Sequence, residues 1–202
     1  MAESAMSLPM SRSEFLAWEH EQLEKHEFWQ GEVFAMTGAR QAHVMVALNV
    51  ATLLKSHLRG KPCRAYISDM QLEVEAADAV YYPDVVVSCD PADLLAERVL
   101  RRPTVVIEVL SDSTAAYDRG VKFAAYRKLS SLKEYVLIDP ERRTLEIFRR
   151  TEQDDWLLVT RDAARGLVLP SLAFEAGLDA VFEDLDTLEP AAAQSDPTTP
   201  SA

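Results

Sequence analysis

The sequence holds no run approaching the roughly 18 to 20 apolar residues that a bilayer-spanning helix needs, which excludes a membrane-spanning reading. Residues 1–9 carry neither a basic region nor an apolar core of the kind found in secretory leaders, so the expected location is cytoplasmic. Cysteine is scarce. Cys63 and Cys89 are the only two; they show no metal-type spacing and read as reduced core residues rather than a disulfide framework. No internal repeat, helix-turn-helix pattern or zinc-finger spacing is visible, so no element that would read a DNA sequence can be named.

Positive charge is also in short supply. Against 33 acidic side chains stand 21 basic ones, a formal net charge of −12 that argues against a simple polyanion-binding coat. The deficit is uneven: residues 97–150 hold 12 basic and 8 acidic residues, whereas residues 151–202 hold 2 and 11. The middle segment reads either as a localised phosphate-contacting face or as a set of solvated helix and strand surfaces. With 48% hydrophobic and 27% charged residues, the chain has the composition of an ordinary globular domain. One domain is expected over residues 11–188, between tails (1–10 and 189–202) that are expected to be disordered.

The local patterns predict an α/β fold. Ser11-Arg12-Ser13-Glu14 has capping-box spacing and opens a helix reaching to about Lys25. Residues 28–36 look extended, with a turn or bulge at Gly31-Glu32. A long helix over 41–58 carries Val44, Leu48, Ala51 and Leu54 or Leu58 at helical spacing. Residues 63–74 form strand, and the alternation in Leu72-Glu73-Val74-Glu75 sends both glutamates towards water. A strand opening at Pro103, a helix to about Leu129 and a strand over 134–139 make a βαβ unit, followed by a hairpin over 144–150 and 156–160.

Two Val-rich runs each carry one carboxylate: Tyr82-Pro83-Asp84-Val85-Val86-Val87 and Val105-Val106-Ile107-Glu108-Val109-Leu110. Short, continuous, β-branched runs suit strands covered on both faces. A buried carboxylate there costs several kcal/mol or more unless it is paired or holds a metal. Two of them point to a shared cation. Asp84 also reads as a Pro-Asp turn residue, Lys122 as the i+4 partner of Asp118 on a solvated helix, and Glu32 as a hairpin-turn carboxylate. His43, Tyr126 and Arg127 read as structural or surface residues.

These residues resemble the Uma-two family of restriction endonucleases within the PD-(D/E)XK superfamily, over roughly residues 15–182. The matching segments are Gly31-Glu32-Val33-Phe34-Ala35-Met36, Tyr81-Tyr82-Pro83-Asp84-Val85-Val86-Val87, Pro103 through Ser111, Asp118-Arg119 with Lys122, and Leu132-Lys133-Glu134-Tyr135. One departure from the superfamily pattern is plain: Leu110 stands two residues after Glu108, where the superfamily name implies lysine. The resemblance implies a restriction endonuclease-like fold, a central mixed sheet flanked by helices with an N-terminal helix and β-hairpin additions. It further implies Mg²⁺, with Mn²⁺ as substitute, held by Asp84, Glu108 and the Val109 carbonyl. Lys122 takes the part of the missing lysine, and Glu32 serves as an additional acid, as ligand or orienter of water. The implied substrate is DNA. A catalytically inactive binding or assembly module and a hydrolase of small phosphodiesters are the rival readings. A homodimer is expected, with the apolar segment 167–172 as an exposed interface.

Overall fold

The computed structural model describes residues 10–159 and 165–185. The tail expected beyond residue 188, residues 1–9 and the end of the second hairpin at Thr160 lie outside the described residues.

Helix α1 (Arg12–Glu19) starts on Ser11, whose hydroxyl accepts the Glu14 N–H while the Glu14 carboxylate accepts the Ser11 N–H at 2.8 Å, the reciprocal cap that the sequence predicts. Strands β1 (His26–Trp29) and β2 (Glu32–Ala35) form a hairpin in which Trp29 pairs with Glu32. Its two-residue turn puts Gln30 at φ 49° and Gly31 at φ 90°. Positive φ at both positions matches the right-handed strand twist, and glycine meets the second without a Cβ penalty. Helix α2 (Gln41–His57) follows, then β3 (Arg64–Ile67), β4 (Gln71–Val74), β5 (Ala79–Tyr81), β6 (Val85–Ser88), α3 (Pro91–Leu94), β7 (Val99–Leu100) and β8 (Pro103–Val109). Helix α4 (Ala115–Tyr117) runs through a π-helical turn (Asp118–Lys122) into α5 (Phe123–Tyr126). Strands β9 (Glu134–Asp139), β10 (Thr144–Arg150), β11 (Trp156–Leu158), β12 (Leu167–Leu169) and β13 (Phe174–Ala176) and helix α6 (Leu178–Val181) complete the described chain.

Two sheets frame the molecule. The first has the order β2-β1-β5-β4-β7 and the second β11-β10-β9-β8-β6-β3. In the second, β8 and β9 are parallel while β6 and β8 are antiparallel, so the sheet is mixed and the expected βαβ unit is present. Strand alternation divides the second sheet's side chains between two cores. Val85, Val87, Val105, Ile107, Val109, Val136 and Ile138 face α2, whereas Val86, Val106, Leu110, Tyr135 and Leu137 pack with α5 and with Leu72, Tyr81 and Leu100 of the first sheet. Burying each such aliphatic side chain contributes roughly 1.5–3 kcal/mol.

Several expectations are corrected. Helix α2 buries Val46, Val50, Ala51 and Leu54, leaving Val44 and Leu48 about half exposed. Apolar residues surround this helix on every side, so spacing alone does not select the buried stripe. Glu73 points inward, not to water: it is 8% exposed and bridges Arg12 and Arg101, each at 2.6 Å. Both faces of β4 are covered, and the two guanidiniums compensate the buried charge. The segment 167–172 is no exposed interface: Leu167, Leu169 and Leu172 are buried in the α2 core, which removes the apolar surface on which the homodimer expectation rested.

The cysteines form a disulfide, contrary to the reduced reading. Arg64 pairs with Ser88 in the β3/β6 ladder, and one further step brings Cys63 and Cys89 together with Cα atoms 4.1 Å apart. Their 26-residue separation gives no sign of this, because strand pairing creates the proximity. Among the described residues no helix is long and apolar enough to cross a membrane.

Candidate active site

The β6/β8 ladder sets the centre of the site. Val86 pairs with Val106 and Val85 with Ile107, so the next step outward places Asp84 opposite Glu108. By the same alternation Glu108 leaves the sheet on the face of Val106, where Lys122 and Tyr126 meet it, while Asp84, just before β6, sits at the strand end within reach of His43 on α2. Their contacts are reciprocal. Asp84 N–H donates to Glu108 Oε2 at 3.3 Å, and Val109 N–H donates to Asp84 Oδ2 at 2.7 Å.

Lys122 joins this pair from the π-helical turn. A π turn is wider than an α turn and recurs at functional positions; here both Asp118 and Lys122 are buried while Arg119 and Gly120 face outward. Lys122 Nζ lies 3.2 Å from Glu108 Oε1, 2.9 Å from Glu27 Oε1 and 3.6 Å from Asp118 Oδ1. Tyr126, one helical turn on, donates its hydroxyl to the same Glu108 Oε1 at 2.9 Å, and Tyr135 donates to the Asp118 carbonyl at 3.0 Å. Asp84, Glu108 and Lys122 are thus brought together.

Glu32 is not among them. It starts β2 exposed, and among the described residues no hydrogen bond or ion pair joins it to the cluster. Glu27, on the neighbouring strand β1, is the acid that meets Lys122. Its signal in sequence is faint, because His26-Glu27-Phe28-Trp29 reads as an ordinary strand whose charge could face either way. His43 also sits closer than its sequence context implies, with Nε2 3.2 Å from Asp84 Oδ2. Tyr126 is a contact of the site rather than a packing residue only.

The charges are unequal. Glu27, Glu108 and Asp118 crowd around one ammonium, with Asp84 beside Glu108 and His43 at the edge. Burial pushes the Glu108 carboxyl up to about 8; Lys122 opposes the rise, while Asp84, Asp118 and Glu27 add to it by repulsion. Burial likewise raises Asp118, against the pull of Lys122 and a hydrogen bond from Thr114. For Lys122, burial disfavours the charge, yet Glu108, Glu27 and Asp118 hold its pKa well above the ordinary lysine value. His43 loses something to burial, but the Asp84 carboxylate and the Val109 carbonyl raise it.

Such a surplus of carboxylates suits a hard cation, which oxygen ligands bind best. Among the described residues no three His, Cys, Asp or Glu side chains form a ready metal-ligating group. The paired Asp84 and Glu108 carboxylates are of the oxygen type that suits an ion which keeps several waters and takes one or two carboxylates from protein. Several arginines of the basic middle segment are paired with acids. Arg101 faces Glu73, Arg102 Asp90, Arg119 Glu146, Arg142 Asp139 and Arg150 Asp154.

The chain matches the family model of Uma2, described as "Putative restriction endonuclease", over residues 12–185. It is 34% identical over 176 residues to an uncharacterized protein of Synechocystis sp., covering 87% of this chain and 93% of that protein. A second uncharacterized Synechocystis protein is 31% identical over 151 residues, covering 74% of this chain and 85% of the relative. The crystal structure of "a putative nuclease belonging to DUF820" from Anabaena variabilis superposes with a TM-score of 0.69 at 18% identity, over 86% of this chain and 98% of that one. At that identity the likeness speaks for the fold. With the mixed sheet and its flanking helices shared with that structure, and the family match running almost from α1 to the last described residue, the chain belongs to the Uma2 family and has the restriction endonuclease-like fold.

Proposed function

We propose that the protein is a divalent-metal-dependent endonuclease hydrolysing DNA phosphodiester bonds. The observation that carries this reading is the cross-strand meeting of Asp84 and Glu108 with Lys122 Nζ 3.2 Å from Glu108. Asp84, Glu108 and the Val109 carbonyl would hold Mg²⁺ or Mn²⁺. Such an ion would supply an activated water and relief of negative charge on the leaving oxygen.

The chain's own groups do the rest. Tyr126 and Lys122 fix the Glu108 carboxylate by donating to one of its oxygens, and the Val109 N–H fixes Asp84. Lys122, kept charged by its acids, would set a fixed positive charge beside Glu108 that eases the ionisation of the attacking water. Incubation of supercoiled DNA with Mg²⁺ or Mn²⁺ tests the reading: wild type cleaves, and Asp84→Ala and Glu108→Ala abolish cleavage. Equal cleavage by all three proteins contradicts it.

A second reading, hydrolysis of small phosphodiesters, draws on the net charge of −12 and on the internal pairing of the basic segment. Long duplex binding relies on unpaired cations along the phosphate backbone. Comparing rates on duplex, single strands and dinucleotides at low salt separates the two: a preference for dinucleotides favours the second.

A further inference from the structure

We infer that Glu27 is the positioning residue for Lys122, the carboxylate that fixes where the ammonium sits relative to Glu108 and Asp84. The inference rests on the reading of Lys122 as the ammonium of the reaction centre.

A lysine head group is a compact charge on a flexible four-carbon stem with three donors. Here three carboxylates surround it, and they come from three different parts of the fold. Asp118 lies one turn back on the same helix at 3.6 Å, Glu108 on the second sheet at 3.2 Å, and Glu27 on the first sheet at 2.9 Å, the shortest of the three. Two partners leave the ammonium an arc of positions. The third, from the opposite sheet, leaves it one.

Glu27 is itself well placed for this. It is 8% exposed, and its Oε1 also accepts the Tyr82 N–H at 3.2 Å. Tyr82 belongs to Tyr82-Pro83-Asp84, the link that carries the chain from the first sheet to the second and delivers Asp84; Pro83 restricts its own φ within that link. One carboxylate oxygen therefore registers Lys122 against the backbone that presents Asp84.

The test compares Glu27→Gln, Glu27→Asp and Glu32→Gln, with kinetics normalised to folded protein. Glu27→Gln keeps the shape and removes the charge; kcat for DNA cleavage is expected to fall about 10- to 100-fold with KM unchanged, since small misplacement of a reacting group costs that much. Glu27→Asp keeps the charge with a shorter reach, and is expected to recover part of kcat. The loss in Glu27→Gln is expected to exceed that in Glu32→Gln. In parallel, ¹⁵Nζ-lysine NMR reads placement without activity: a slowly exchanging Lys122 ammonium signal is expected in wild type and Glu32→Gln and absent in Glu27→Gln. Unchanged kcat in Glu27→Gln, a loss in Glu32→Gln as large, or a Lys122 signal indifferent to Glu27→Gln overturns the inference. Should wild type cleave nothing, the nuclease reading fails while the NMR comparison still decides whether Glu27 places Lys122. If Glu27→Gln does not fold, Glu27→Asp decides by the same readouts: wild-type kcat and an unshifted Lys122 signal overturn the inference.

Discussion

Asp84 and Glu108 hold each other through the backbone: the Asp84 N–H donates to the Glu108 carboxylate, and the N–H of the residue after Glu108 donates to the Asp84 carboxylate. This exchange needs antiparallel strands in one register only, because a slip by one residue would send one acid to the opposite face. The register is fixed by Val85, Val87, Val105 and Ile107 packed on the α2 side. The core packed on α2 thereby sets where the two acids meet.

The raised Glu108 carboxyl makes stability depend on pH. Its value rises from 4.5 in the absence of the fold to about 8 in the folded protein. Between those values the folded state binds more protons than the unfolded, so stability falls as pH climbs through this window. Metal-free wild type is expected to melt lower at pH 8.5 than at pH 5, and Glu108→Gln to lose much of that dependence. At pH 8 the variant is expected to melt a few degrees above wild type, each kcal/mol being worth roughly 2–4 °C at this size. Thermal scans across pH check this; a variant melting lower at pH 8 contradicts it.

Tyr126 stabilises charge on Glu108. Tyr126→Phe removes a donor 2.9 Å from Glu108 Oε1 and leaves Lys122 as the remaining side-chain donor to that oxygen. A hydrogen bond to a charged group contributes about 1.5–3 kcal/mol, so urea denaturation above pH 8 should show a loss of that order. Below pH 5, where Glu108 is protonated, the loss should shrink.

The Cys63–Cys89 bridge constrains the unfolded chain. For a 26-residue separation the chain-entropy argument gives about 3–4 kcal/mol. Calorimetry with and without a dithiol, or on Cys63→Ser, should show a midpoint lower by several degrees. Two free thiols titrating in the native, unreduced protein would contradict the bridge.

Much of this was legible in the residues. The capping box, the Gly31 turn, the βαβ unit and the two acid-bearing strands follow from local patterns, and a buried carboxylate inside Val-Ile-Glu-Val demands a partner wherever the strand lies. What escaped is what strand pairing creates. Glu27 meets Lys122 only because β1 joins β5 in the first sheet and β5 leads into Asp84. Cys63 meets Cys89 through the β3/β6 ladder, and Glu73 turns inward because α1 brings Arg12 over β4. Glu32, adjacent to the conspicuous Gly31, stays exposed at the start of β2, whereas Glu27, five residues earlier, is the acid of this hairpin that reaches Lys122.

The central claim is that Asp84 and Glu108 share one divalent cation, and a calorimetric titration of Mn²⁺ into wild type, Asp84→Asn and Glu108→Gln tests it most directly. The expected result is a saturable isotherm in wild type with affinity at least about tenfold weaker in each variant, as removal of a charged ligand demands. Isotherms that coincide for all three proteins would contradict the claim.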